Sequence, residues 1–200
     1  MCWNQTVSLN TFLFSLFAIL FAYFNNVIKF YEFIYLFSFI SMQLVEYFTW
    51  KHLDNKKINT ILSQIALLLI FIQIPLFIKS RYALKDNVKL SLIKLYILLS
   101  IIVILSFNIN FSMSKATNGH LAWNWLNFPT IIIIIWLSFI LGLIFYEKRY
   151  LEFIIYFIII FGIYYTYYKT NTWGSLWCWI ANILALKLIL QVFLKDICYK

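Results

Sequence analysis

The feature that most constrains this chain is a series of unbroken apolar runs, of which Thr130–Trp136 (TIIIIIW) is the plainest. A half-buried strand would alternate apolar and polar residues, and a strand of a membrane barrel would do so over about ten positions. These runs do neither. In hydrocarbon every backbone amide must find its partner within the protein, which leaves the helix as the conformation for such segments. Composition agrees: 64% of the residues are hydrophobic and 12% charged, against about 45–50% and about 25% in soluble domains. A soluble fold of 200 residues could not hide that much apolar surface. The expected fold is all-α, a polytopic transmembrane helix bundle with lipid as its solvent.

A helix needs about 20 mostly apolar residues to cross the hydrocarbon core. Seven stretches meet that need, at about 7–28, 30–50, 60–79, 90–107, 129–146, 151–168 and 175–195. Lys94 lies one turn inside the fourth and can snorkel to the headgroups. Glu147–Glu152 (EKRYLE) makes a tight hairpin, and 108–128 is the one long connection. Two prolines, four glycines and no Ser/Gly/Pro-rich linker predict a single integral membrane domain over 1–200. Met1–Thr6 (MCWNQT) carries no Lys or Arg, and no small-x-small pattern follows Phe24, so a removable signal peptide is not expected.

The formal charge of +9 raises nucleic acid as a partner, but the cations sit in short loops between apolar runs. No basic domain could hold a phosphate backbone; the bilayer, with its anionic headgroups, is the expected partner. With seven spans, the N-terminal side receives Lys51, Lys56, Lys57, Lys115 and Lys169. The other side receives Lys29, Lys79, Arg81, Lys85, Lys89, Lys94, Lys148, Arg149, Lys195 and Lys200, giving 5 against 10 with Lys187 inside the last span. The positive-inside rule then puts the N-terminus outside or lumenal and the C-terminus in the cytosol.

On this topology the rare residues gather at one face. Trp3, Trp50, Trp123, Trp125, Trp173, Trp177 and Trp179 fall at the N-terminal side, with both histidines, His52 and His120, and with Cys2 and Cys178; Trp136 is deeper. An aromatic belt is the simpler reading, yet belts form at both interfaces, and the opposite side has tyrosines instead. Gln43, Glu46 and Trp50 recur at helical spacing along one stripe. A carboxylate a turn inside the membrane, as Glu46 is, usually faces the bundle interior or a water-filled cavity; a hydrogen bond to another helix is the structural alternative. The loop Asn118–Trp125 (NGHLAWNW) should fold over the bundle as a cap, bringing His120, Trp123 and Asn124 to the site. The seventh span adds Trp177, Trp179 and Asn182, with Ser175 as its N-cap. Together these define a candidate ligand pocket.

Cys2, Cys178, His120 and Glu46 are candidates for a zinc site, though they lack any CxxC or HExxH spacing. A Cys2–Cys178 disulfide competes with that reading, as do two free thiols. Seven-span zinc hydrolases of the ceramidase type need three histidines, and this chain has two. Retinal on Lys187 would require a carboxylate counter-ion, which 60–79 lacks, and Ile183 is apolar one turn earlier; snorkelling or a carbonyl partner explains the lysine more simply. Gln64, Gln73 and Pro75 could form a kinked polar stripe of a transporter. Asn4-Gln5-Thr6 and Asn110-Phe111-Ser112 are glycosylation sequons on the outward side.

The segments Met1–Asn10 (MCWNQTVSLN), Met42–Leu53 (MQLVEYFTWKHL), Asn118–Leu126 (NGHLAWNWL) and Trp173–Asn182 (WGSLWCWIAN) resemble an uncharacterised multi-span membrane family of giant DNA viruses. The resemblance implies a viral protein of a host endomembrane or the virion membrane, and it brings no activity with it. The expected role is non-catalytic: binding of a small or lipidic ligand by a receptor-like, transport-like or membrane-remodelling protein. The alternative is a membrane-embedded enzyme of the zinc-dependent hydrolase kind, using Glu46 and His120.

Overall fold

The computed structural model describes residues 4–174 and 177–198, with side chains as far as Lys195. Within them lie seven α-helices: α1 (Gln5–Phe24), α2 (Phe30–Lys51), α3 (Lys56–Ser80), α4 (Asp86–Ser106), α5 (Thr130–Tyr146), α6 (Tyr150–Tyr167) and α7 (Trp177–Cys198). Every apolar run expected to be helical is helical, with ends displaced by a few residues. The long connection adds what the all-α expectation lacked, an antiparallel hairpin of β1 (Met113–Lys115) and β2 (Leu121–Trp123).

Helices α1, α3, α4, α6 and α7 are the five long and apolar enough to cross a membrane. Helix α5 is shorter, with 17 residues. Helix α2 has the length, 22 residues, but its hydropathy is diluted by Ser38, Gln43, Glu46 and Thr49. All four of these are buried, so these polar groups of α2 face protein.

An inner group of α1, α2, α3 and α7 carries most of the packing, with α2 between α1 and α3 and α7 laid along α1. Lipid tails are as apolar as leucine, so close approach of backbones and interhelical hydrogen bonds must hold such helices together. Helix α1 buries Ser8, Ser15, Ala18 and Ala22, and α7 answers with Ala181 and Ala185, both buried. Across this seam Ser15 Oγ donates to the Ala181 carbonyl at 3.4 Å and Asn182 Nδ2 donates to Thr11 Oγ1 at 3.3 Å. Between α3 and α2, Gln73 Nε2 donates to the Ser38 carbonyl at 3.4 Å. Gln64, on the same helix, is exposed, so the polar stripe expected of Gln64 and Gln73 is divided between two faces. Helix α3 continues through Pro75 to Ser80.

Helices α4 and α6 are peripheral. Tyr96 is the one buried residue of α4, and α6 has none. Their outward leucines, such as Leu105 at 82% exposed and Leu151 at 72%, are what a helix facing lipid on most sides requires. The core falls into three apolar clusters, and the Trp136 side chain packs against all three.

Candidate functional site

The 108–128 connection is a built cap. Gly119, at φ +81°, turns the hairpin, a backbone conformation open to glycine without a Cβ penalty. Met113 then pairs with Trp123 across the strands, and Leu121, Ala122 and Trp123 are all buried. Asn59 of α3 fastens the near strand: its Nδ2 donates to the Met113 carbonyl and its Oδ1 accepts from the Met113 N–H, each at 2.8 Å. On the far side the Trp123 N–H donates to the Asn171 carbonyl at 3.0 Å. Asn118 Nδ2 reaches Thr172 Oγ1 at 2.9 Å and Thr170 Oγ1 at 3.3 Å. The cap is thus tied both to α3 and to the segment between α6 and α7.

Three tryptophans seal it. Trp123 and Trp125 stack with centroids 5.2 Å apart, and Trp173 meets Tyr164 edge-on at 5.5 Å. Gly174 lies against the Trp123 ring so closely that a Cβ there would stand 2.4 Å from its nearest carbon. His120 is buried, its ring edge-on to Tyr167 at 5.9 Å. Burial holds its pKa below the ordinary histidine value.

Beneath the cap, Gln43 and Glu46 of α2 are fully buried. Gln43 Oε1 lies 2.6 Å and Glu46 Oε2 3.7 Å from the Cys178 sulfur, and the buried Trp123 side chain lies beside the Glu46 carboxyl. The Cys178 sulfur is disulfide-bonded; Cys2, its candidate partner in the sequence, lies outside the described residues. These groups make a packed knot of polar side chains joining α2, α7 and the cap, and of them Trp123 also lines the neighbouring cleft.

The candidates predicted to form one pocket are therefore distributed. Gln43, Glu46, Trp123 and Cys178 come together. Trp50 packs at the edge of the same apolar cluster. Asn124 stays within the cap, donating to Ser112 Oγ at 3.1 Å and Ser114 Oγ at 3.2 Å. Asn182 serves the α1–α7 seam. Trp179, 42% exposed, turns away from the bundle, since its neighbours Trp177 and Cys178 occupy the inward face of α7. Among the described residues no three His, Cys, Asp or Glu side chains converge on a metal position.

The cavity at this end lies beside the knot. It is a cleft of about 70 Å³ between α3, α4 and α5, roofed by Trp123, Trp173 and Gly174 and floored by Trp136 and Trp177. Its walls, including Val103 and Ile133, are apolar.

At the opposite end the structure gathers charged residues from the α3–α4 and α5–α6 connections with one from within α7. Arg81 grips Glu147 with two nitrogens, one of them Nε at 2.8 Å from Oε1. Arg149 lies 3.6 Å from Glu147 and pairs with Glu152. Lys187 Nζ, examined in the sequence as a retinal lysine, completes the ladder at 3.4 Å from Glu152 Oε1. The partner of Lys187 is thus a carboxylate from the start of α6, where the sequence suggested snorkelling or a carbonyl. Lys187 lies deeper in α7 than Glu152 does in α6, so depth alone gave no signal that the two would pair.

No protein-family model matches the chain, and neither a curated protein nor a solved structure does.

Proposed function

We propose that this is a multi-pass membrane protein crossing the bilayer seven times, with the capped end outside or lumenal, that binds an apolar ligand in the tryptophan-roofed cleft. The fully buried polar face of α2, the short turns on either side of α2 and the tight α5–α6 hairpin support seven crossings over five. The cation imbalance between the two ends supports the orientation, and the four segments shared in resemblance support a viral membrane. The role is non-catalytic and receptor-like, and the ligand is small or a lipid chain.

The observation that carries this reading is the cleft. It is apolar throughout and closed above by a hydrogen-bonded cap. On one side it is bounded by α4, a helix with a single buried residue, which can therefore yield to a ligand with little loss of packing. Glu46 and His120, the pair an enzyme would use, are separated from it: Glu46 is sealed in the knot, and His120 packs on Tyr167.

The test is quenching of tryptophan fluorescence by a brominated fatty alcohol added to the protein in lipid nanodiscs. Saturable quenching is expected, and Ile133→Trp, which fills the cleft, should abolish its saturable part. Quenching that rises without saturation, equally in both proteins, would overturn the binding reading. So would stoichiometric zinc in the purified protein that is lost in both Glu46→Gln and His120→Ala. For topology, a glycosylation tag modified at the C-terminus and unmodified in the 108–128 cap would reverse the orientation.

A further inference from the structure

A second cavity opens at the end opposite the cap, between the α5–α6 hairpin and the inner helices. Its volume is about 240 Å³, and it follows α7 from Trp177 to Gln191. Fourteen residues of helix rise about 21 Å, longer than one leaflet's share, about 15 Å, of the hydrocarbon core. It exists because α6 packs on α5 and makes no substantial contact with α7. Two helices that pack poorly in a membrane leave a slot that lipid must fill.

The slot is amphipathic along its length. Towards the middle of the bundle its walls are Phe39, Ile180 and Leu184, closed by Trp177. Towards the open end stand Glu32, Arg81, Arg149, Glu152 and Lys187, with Tyr35 and Tyr156 between the two zones. Counting Glu147, which is bound to Arg81 and Arg149, the polar end carries three cations and three carboxylates. Their charges cancel, but they are segregated into alternating partners. An anionic headgroup would meet as many carboxylates as cations, and an uncharged one would leave ion pairs desolvated without return. A zwitterion satisfies both signs. The Lys187–Glu152 pair is the place for it: it is a long contact at 3.4 Å, it faces the slot, and its side chains are about a third exposed (38% and 31%).

We propose that this slot binds one chain of a zwitterionic phospholipid, its phosphate at Lys187 and Arg149 and its ammonium at Glu152 and Glu32. The site is separate from the cleft beneath the cap, from which Trp177 divides it, and does not depend on that cleft having a ligand.

The experiment titrates the detergent-solubilised protein with palmitoyl-lysophosphatidylcholine and palmitoyl-lysophosphatidylglycerol, which share a chain and differ in headgroup charge, and counts bound lipid by native mass spectrometry. One molecule of the choline lipid is expected to bind at least about tenfold more tightly than the glycerol lipid. Leu184→Trp, which fills the apolar part of the slot, should remove that binding while leaving quenching in the capped cleft intact. Glu152→Gln, which leaves the polar end with net positive charge, should reverse the preference. Equal affinities, unsaturated binding of several molecules, or a preference unchanged in Glu152→Gln would each overturn the proposal. Thermal unfolding of each variant identifies any that fails to fold, and Leu184→Trp then carries the test without disturbing the ion ladder.

Discussion

Asn59 holds Met113 by both of its main-chain groups, donating to the carbonyl and accepting from the N–H at 2.8 Å each. A carboxamide is the one short neutral side chain that can do this, because it carries a donor and an acceptor side by side. A strand edge is thereby completed by a helix side chain. The β1 strand, three residues long, has little else to fix it on that edge.

Asn59→Ala should free β1 from α3. Leaving two buried main-chain groups unsatisfied costs about 1–3 kcal/mol for each group, enough to open the cap while the helices stay folded. Hydrogen exchange at 113–123 should accelerate with little change in α1, α2 and α7. Asn59→Asp keeps the acceptor and loses the donor, so its effect should be intermediate; an exchange pattern equal to that of the unaltered protein would remove Asn59 from this role.

Gly174→Ala should push the Trp123 ring from its place, since the added carbon would stand 2.4 Å from it. Overpacking of this kind costs about 1–3 kcal/mol. A lowered Tm with a red-shifted tryptophan emission is expected. Trp123→Leu combined with Gly174→Ala should lose less than the sum of the two single changes, because the clash then has no partner.

The cap should weaken in acid. Burial lowers the pKa of His120 in the folded protein, so the unfolded cap binds the proton more readily than the folded one. Its contribution is fully present above the ordinary histidine pKa of about 6.5 and is lost as pH falls through the lower folded value. Exchange at 113–123, corrected for its intrinsic pH dependence, should rise between pH 7.5 and 5 in the unaltered protein. In His120→Gln it should be flat over that range.

Arg81→Ala or Glu147→Ala should each be costly, about 3–5 kcal/mol, because each strands a partner whose side chain is largely buried, at 13% and 8% exposed. The double change Arg81→Ala with Glu147→Ala should cost less than the two single changes summed. Tm values across the cycle measure the coupling, and simple additivity would show that the pair contributes nothing as a pair.

Much of this architecture could be read from the residues alone, for a physical reason. A run such as Thr130–Trp136 has one stable conformation in lipid, so the helices follow from local sequence. The cap was also foreseeable, because Asn118–Trp125 is too long and too aromatic for a bare turn. What stayed hidden depended on partners distant in sequence. Asn59 looks like any polar residue near the start of a helix in an asparagine-rich chain, and only the position of Met113 gives it a task. In the sequence Glu152 stands at the edge of a tight loop and Lys187 alone within α7, whereas the fold makes them a pair. The residues expected to share one pocket spread over several contacts for the converse reason. Helical spacing correctly aligned Gln43 and Glu46, but it could not tell that Cys178 and Trp123 would fill the space in front of them. Nor could it show that Trp179 would face outward.

The packing of α1 on α7 has a consequence for how such a protein is made. Ser15 and Ala181, bonded across the seam, are 166 positions apart. At ribosomal speeds of about 5–20 residues per second, α1 waits on the order of ten to thirty seconds for its mate. During that time the serines and alanines of its buried face have only α2 and lipid beside them. The membrane insertion machinery must therefore release or shelter a half-built bundle, and a chaperone that shields small-residue helix faces would act on this interval rather than on the finished fold.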